Sequence, residues 1–291
     1  MKSAFVAVVG RPSSGKSPLI NAITCRKGSI TASAPQTTRN KVRGIYTEER
    51  GQLVFIDTPG FHLSEKKFNL HMTGLVASSL EEIDLVLYVT DASRVPGPEE
   101  EELARMTAPH GDKTVVAINK TDLPDADPAE LETFIRSRLP NAKILKLSAL
   151  RGEGVSDTVD SLFELAPEGE QMYPEEFYTD QEPEFRISEI IREKAIQRVK
   201  QELPHSLYVE IADMEEQNGG KQLWIRAFLV VERESQKGIV VGKGGGMIKV
   251  IRQEAQREIA ELFPYRIHLD LRVKVNYKWR RKDRLIDSMF R

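Results

Sequence analysis

From the N-terminus to Leu165, short unbroken apolar runs alternate with longer stretches carrying a helical apolar period. Unbroken runs predict strands buried on both faces, and the longer period predicts helices packed over them. The strands predicted in this way are Phe5–Val9, Leu53–Asp57, Leu85–Asp91, Thr114–Asn119 and Ile144–Ser148. The helices are Lys16–Cys25, Glu65–Leu80, Pro98–Ala108, Pro128–Leu139 and Val155–Leu165. Alternation of this kind implies an α/β domain with a doubly wound, mostly parallel sheet. Val42–Thr47 predicts one antiparallel edge strand, paired with Leu53–Asp57 across the turn region Glu48–Gln52.

The alternation stops at Ala166–Glu184, where Pro167, Pro174 and Pro183 stand among acidic residues. That composition predicts a linker. Beyond it the pattern gives a helix (Ile187–Glu202), a strand (Ser206–Asp213), a Gly219-Gly220 turn and a strand (Gln222–Glu232). A glycine-rich loop, a helix (Met247–Leu262) and a strand (Arg266–Tyr277) complete an α+β module of order α-β-β-α-β. The organisation expected is therefore a first domain at 1–165, a linker at 166–184 and a second domain at 185–291, with no internal repeat.

Composition narrows the class. A chain of 291 residues is long enough for two cores, and 30% charged with 40% hydrophobic residues is ordinary globular composition. The longest strongly apolar run, Ile83–Val89, has strand length and is far short of a bilayer span. The N-terminus runs straight into a strand-like segment, so no signal peptide is expected. A single cysteine, Cys25, excludes an intramolecular disulfide and fits a reducing cytoplasm; it reads as a small buried hydrophobe on the first helix. The net charge of −2 hides a division: Lys221–Arg291 carries 17 Lys/Arg against 8 Asp/Glu, while the preceding 220 residues carry 25 against 36. A basic C-terminal part on an acidic body points to a polyanion partner.

Gly10-Arg11-Pro12-Ser13-Ser14-Gly15-Lys16-Ser17 follows the first strand and opens the first helix, with the spacing GxxxxGK[ST]. Glycines at that spacing let backbone N–H groups converge on phosphates, a lysine sets a cation against the terminal ones, and a serine hydroxyl serves Mg²⁺. Asp57-Thr58-Pro59-Gly60 ends the strand Leu53–Asp57, at the carboxyl edge where doubly wound sheets bind ligands. Asp57 would hold Mg²⁺ through water, and the Gly60 N–H would sense a γ-phosphate.

Asn119-Lys120-Thr121-Asp122 then selects the base. A carboxylate accepts from guanine N1–H and the 2-amino group, whereas adenine would leave it unpaired. This disfavours an ATP-dependent kinase. Asn119 can reach N7 and tie loops together, the Lys120 stem can cover the base, and a backbone N–H in Ser148-Ala149-Leu150 can meet guanine O6. In the second domain, Gly242-Lys243-Gly244-Gly245 forms a GxxG loop read as lying between a strand and a helix. Such a loop admits a nucleic-acid backbone, with Lys243, then Lys249, Arg252 and Arg257 on the next helix, facing phosphates. Lys278-Trp279-Arg280-Arg281-Lys282 adds an aromatic face and four cations suited to stacking and phosphate contact.

These motifs, with Pro35-Gln36-Thr37-Thr38-Arg39, Ser188-Glu189-Ile190-Ile191-Arg192-Glu193-Lys194 and Glu202-Leu203-Pro204, make the chain resemble the Era family of bacterial small-subunit assembly GTPases over essentially its whole length. The resemblance implies a P-loop GTPase domain followed by a type II KH domain. It implies GTP/GDP and Mg²⁺ as ligands, with Thr38 as the switch threonine joining Mg²⁺ to the γ-phosphate and Lys16, Thr38 and Gly60 serving hydrolysis. The implied partners are the 3′ end of 16S ribosomal RNA and the 30S subunit. The implied setting is a cytoplasmic monomer, with room for peripheral association at the inner face of the cell membrane.

Four positions depart from the common pattern or bear on rate. Ser13 stands where relatives carry an Asn that helps hold a monovalent cation, which leaves potassium activation without that side chain; Ser14 replaces an apolar residue. Pro18 stands where relatives carry Thr and brings no N–H for the α-phosphate. Phe61 follows Gly60 where many signalling GTPases have a water-positioning Gln, and no side chain is an evident general base, so slow basal turnover is expected. Two rivals are carried forward: an RNA-binding module that holds guanine nucleotide with little hydrolysis, and a GTPase whose C-terminal domain binds protein.

Overall fold

The structure is a computed structural model that describes residues 1–26, 42–62, 74–81, 83–199, 203 and 207–279. They divide into two compact units, with the change of unit between Asp180 and Gln181.

The first unit is built on a six-stranded sheet. In chain order the strands are β1 (Lys2–Val9), β2 (Val42–Glu48), β3 (Gly51–Asp57), β4 (Leu85–Asp91), β5 (Thr114–Asn119) and β6 (Lys143–Lys146). Their spatial order is β2-β3-β1-β4-β5-β6, and only β2 pairs antiparallel. The helices are α1 (Lys16–Thr24), α2 (Pro98–Thr107), α3 (Pro128–Arg138) and α4 (Val155–Leu165). Successive strand residues serve opposite faces. Val6 and Val8 pack beneath Leu19, Ile20 and Ile23 of α1 and Leu162 and Phe163 of α4. Ala7 and Val9 pack with Leu103 of α2 and Leu131 and Ile135 of α3. Both faces of the central strands are thus covered, and their carboxyl ends are left to carry loops.

Some expectations need correction or fall outside the described residues. Cys25 is exposed; it caps the C-terminus of α1 in a left-handed conformation (φ 51°), because the chain must turn there. Of the expected helix Glu65–Leu80, residues 63–73 lie outside the described set, and residues 74–78 are helical. Residues 167–180, expected as linker, lie hydrogen-bonded along the first unit. The Ser3 N–H donates to the Pro167 carbonyl, the Gly169 N–H to Met1 and the Ile45 N–H to Tyr178.

The second unit contains α5 (Pro183–Arg198), β7 (Tyr208–Gln217), β8 (Gln222–Val231), α6 (Glu234–Val241), α7 (Gly246–Leu262) and β9 (Arg266–Val275). The sheet order is β7-β8-β9, with β7 antiparallel and β9 parallel to β8. Asn218-Gly219-Gly220, all at positive φ, turn the hairpin. A parallel pair needs a long crossover, and α6 and α7 supply it. Helix α6 is an addition to the order read from sequence, so the glycine-rich loop lies between two helices, giving α-β-β-α-α-β. Ile187, Ile190 and Ile191 of α5, Ile251, Ala255 and Ile259 of α7, and Ile225, Ala227 and Leu229 of β8 form one core. Truncating one of these isoleucines to alanine typically costs about 2–5 kcal/mol.

Candidate nucleotide site and glycine-rich loop

The loop from β1 to α1 is shaped by two glycines that nothing else could replace. A Cβ on Gly10 (φ +155°) would stand 2.2 Å from the Val89 carbonyl oxygen, and one on Gly15 (φ +101°) 2.1 Å from Asn119 Nδ2. Ser13 also adopts a left-handed backbone (φ 64°), a conformation that Asn or Gly accepts more readily. Within the loop, the buried Lys16 ammonium donates to the carbonyls of Gly10 and Arg11, at 3.0 Å each. Burial lowers its pKa to about 8, opposed by the Asp57 carboxylate. A cation desolvated in this way gains from an anion placed beside it.

Asp57, fully buried at the end of β3, accepts from Ser17 Oγ at 2.6 Å. The two hard oxygens are of the kind that Mg²⁺ prefers, one a carboxylate and one a neutral hydroxyl, so the donor set fits that ion. Thr58 Oγ1 donates to the Val8 carbonyl at 2.7 Å, and the Phe61 N–H to the Gly10 carbonyl at 3.0 Å. A Cβ on Gly60 would lie 2.5 Å from Pro12 Cα, so the Asp57–Gly60 turn presses directly on the phosphate loop. The Phe61 side chain is buried in the core and presents nothing to water. Thr38 lies outside the described residues.

The base-reading loops converge on the same place. Asn119 Nδ2 donates to the Ser14 carbonyl at 2.9 Å, and its Oδ1 accepts the Ala149 N–H at 2.9 Å. One amide side chain thereby joins the ends of β5 and β6 to the phosphate loop. Of the backbone N–H groups in Ser148–Leu150 expected to offer one to guanine O6, that of Ala149 is bonded to Asn119. Lys120 (φ 65°) sends its ammonium to Asp91 Oδ2 at 2.6 Å, which fixes its stem. Burial alone would push the Asp91 carboxyl up, but Lys120 and the Ser93 hydroxyl hold it below its ordinary value. The Ser148 hydroxyl does the same for Asp122, whose Oδ2 lies 3.8 Å from Arg151 Nε. Asp122 is therefore a carboxylate at neutral pH, as guanine recognition requires.

Sequence reasoning missed the residues that brace this site. Asp91 aligns Lys120. On the other side, Arg11 Nε donates to Glu99 at 2.8 Å and its NH1 to Glu100 at 2.7 Å, while His62 also pairs with Glu99. Acidic residues at the end of β4 and in the first turn of α2 were the available signal. Arg94 donates to the Pro12 carbonyl at 3.3 Å.

In the second unit, Gly242 (φ 74°, ψ 173°) adopts a conformation essentially reserved for glycine, and a Cβ there would stand 2.7 Å from that of Met247. Gly244 and Gly245 are also at positive φ but open to space. Lys243 in the loop and Lys249 and Arg257 along α7 are exposed, and Arg252 is half-buried, its NH1 donating to Gln256 at 3.4 Å. Trp279 is fully buried with Tyr208 edge-on, ring centroids 4.9 Å apart. Its indole therefore serves packing, not base stacking as read from sequence; residues 280–291 lie outside the described set.

Comparison with known proteins accounts for both units. A family profile described as 50S ribosome-binding GTPase matches residues 5–120, and one described as KH domain matches 202–280. GTPase Era of Treponema denticola is 47% identical over 292 residues, covering 99% of each chain, and that of Borreliella afzelii is 46% identical over 290, again 99% of each. The chain belongs to the GTPase Era family. A crystal structure of Era in complex with MgGDPNP and nucleotides 1506–1542 of 16S ribosomal RNA superposes with a TM-score of 0.94 at 32% identity, covering 100% of this chain and 98% of that one. An Aquifex aeolicus Era variant bound to GDP·AlF4⁻ gives 0.93 at 32%, covering 100% and 99%. Within the Era frame, the fold is a P-loop GTPase domain with one antiparallel edge strand, followed by a type II KH domain. The order α-β-β-α-α-β, with GxxG between the two adjacent helices, belongs to that domain.

Proposed function

We propose that this chain is a GTP-hydrolysing switch that holds the 3′ end of 16S ribosomal RNA and assists 30S subunit assembly. The observation that carries the reading is the Asn119 bridge: one side chain locks the guanine-reading loops onto a complete phosphate loop, in a chain that continues into a GxxG module. Gly10–Pro18, with Lys16 against the terminal phosphates, would cradle GTP or GDP. Ser17, Asp57 and Thr38 would hold Mg²⁺, which supplies charge neutralisation at the phosphates when bound. Thr58, Pro59 and Gly60 would report the γ-phosphate, Lys16, Thr38 and Gly60 would serve hydrolysis, and Asn119, Lys120, Asp122 and Ser148–Leu150 would read the base. Gly242–Gly245, Lys249 and Arg252 would hold the RNA backbone. Ser13 supplies no amide to a monovalent cation, so turnover should be similar in sodium and potassium buffers. The same reading makes the chain a cytoplasmic monomer whose contact with the cell membrane, where it occurs, is peripheral. No helix among the described residues is long and apolar enough to cross one.

Pro18 and the buried Phe61 favour a second reading, in which the chain holds guanine nucleotide and RNA but hardly turns over. Binding of an RNA oligomer spanning nucleotides 1506–1542 of 16S RNA, measured against a scrambled oligomer, tests the RNA half. Preference for the authentic sequence is expected, and equal binding of both would overturn it.

A further inference from the structure

We infer that Arg94 is a catalytic cation of the GTP site, an arginine that leaves Asp91 for the γ-phosphoryl group as the bond to that group breaks. The inference rests on the hydrolytic reading above and adds a residue to it.

Arg94 stands in the loop from β4 to α2, where its N–H donates to the Asp91 carbonyl at 3.1 Å and closes a turn. Its guanidinium is held at two points. Nη1 donates to the Pro12 carbonyl at 3.3 Å, and Nε lies 3.4 Å from Asp91 Oδ2. Pro12 marks the terminal-phosphate end of the loop on two counts. The turn at Gly60, read as the γ-phosphate sensor, presses on it, since a Cβ there would lie 2.5 Å from Pro12 Cα. Lys16, read as the cation for the terminal phosphates, bonds to the carbonyls of the two residues before it.

Two arginines reach this end of the loop, and they are held differently. Arg11 is locked between Glu99 and Glu100, at 2.8 and 2.7 Å, so two carboxylates offset one guanidinium. Arg94 is 43% exposed, and both of its contacts are long. Its carboxylate partner is already served by Lys120 at 2.6 Å, the Ser93 hydroxyl at 2.7 Å and the Ser93 N–H at 3.1 Å. Asp91 therefore stays satisfied when Arg94 departs, and no buried group is stranded. An exposed pair of this kind holds weakly. The arm is flexible, and its charge is never lost to deprotonation.

In hydrolysis a water oxygen bonds to the γ-phosphorus while the bond from that phosphorus to the β–γ bridging oxygen breaks. The electron pair of the broken bond stays on GDP; one water proton remains on the phosphate formed and the other passes to solvent. Negative charge grows on the leaving oxygen during this step. A guanidinium brought to it gains more from the transition state than from bound GTP, which is the condition for raising the rate. Arg94 exchanges no proton, and after phosphate leaves it returns to Asp91.

The test compares the full-length chain with Arg94→Ala and Arg94→Lys, all with Mg²⁺. The readouts are single-turnover phosphate release from GTP, GDP affinity by calorimetry, and trapping of GDP with aluminium fluoride. Arg94→Ala is expected to slow release about 10²-fold or more, the scale of removing one preorganised donor to transition-state charge. It is expected to lose the aluminium fluoride complex and to keep GDP affinity nearly unchanged. Arg94→Lys, with the charge but not the fork, should fall between. Release by Arg94→Ala as fast as by the parent would overturn the role. So would GDP affinity lost in step with rate, since Arg94 would then only brace Asp91 and Lys120. A parent that binds GTP and releases no phosphate would remove the hydrolytic reading itself, and this role with it.

Discussion

Pro18 offers the sharpest quantitative test of how the phosphate loop works. It is the third residue of α1, after Lys16 and Ser17, and the first N–H bonded within the helix is that of Leu19, which donates to the Gly15 carbonyl at 2.9 Å. The first-turn amides of an α-helix have no partner within it and point toward a ligand, and the one that any other residue at position 18 would supply is missing. A charge-assisted hydrogen bond contributes about 1.5–3 kcal/mol. Pro18→Thr and Pro18→Ala should each restore it and tighten GDP binding roughly 10- to 150-fold, at about 1.4 kcal/mol per decade. The same substitutions release a chain restriction and should lower the stability of the nucleotide-free protein by about 0.4–1 kcal/mol. The two effects have opposite signs, which separates them. Calorimetric titration with GDP and with guanosine is the assay: GDP affinity should rise in both variants while guanosine, lacking phosphate, stays constant. Unchanged GDP affinity, or equal tightening of guanosine, would refute the reasoning.

Three further outcomes follow from individual groups. Lys16, at about pH 8 without ligand, is half protonated there, and phosphates favour its ammonium; GDP binding near that pH should take up about half a proton, and affinity should fall by up to about tenfold per unit as pH rises through it. Buffers of different ionisation enthalpy measure the uptake, and proton release or a flat profile would contradict it. Ser14 Oγ is buried with no hydrogen-bond partner among the described residues, so Ser14→Ala should raise unfolding stability by roughly 1 kcal/mol in thermal melts; a lower melting temperature would count against this. Gly242→Ala forces a Cβ against Met247 at a strained φ, a cost of about 1–3 kcal/mol, and should weaken RNA binding about tenfold or more with GDP affinity intact. Unaltered RNA affinity would mean that the loop is not the contact.

What was legible in the sequence was what repeats along it. Leu85–Asp91 and Thr114–Asn119 match β4 and β5 residue for residue, because strands buried on both faces are apolar throughout. The edge strand β6 is only half-buried and ends at Lys146, short of the expected Ser148. Strand ends then place Asp57, Asn119 and Ser148 together, since a parallel sheet presents all its carboxyl ends on one side. Helix α6 was not legible: it has eight residues, contains Gly238 and buries only Val240, leaving no period to detect. The course of residues 167–180 was hidden for a different reason. Their backbone bonds go to the Gln52 side chain and to the Met1, Ser3 and Ile45 backbone, so prolines and acidic residues give the same composition as a free linker. Trp279 shows the limit of reading an aromatic among cations, since burial depends on Tyr208, far away in sequence.

The central claim is that the Asn119–Asp122 loop and the phosphate loop make one guanine-selective hydrolytic site, joined to an RNA module. Phosphate release by the full-length chain with Mg²⁺, from GTP and from ATP, with and without the 16S 3′-terminal oligomer, tests it most directly. Slow release from GTP, faster with the oligomer, and none from ATP is the result predicted. Equal release from ATP, or a chain that neither binds nor hydrolyses guanine nucleotide under any of these conditions, would contradict it.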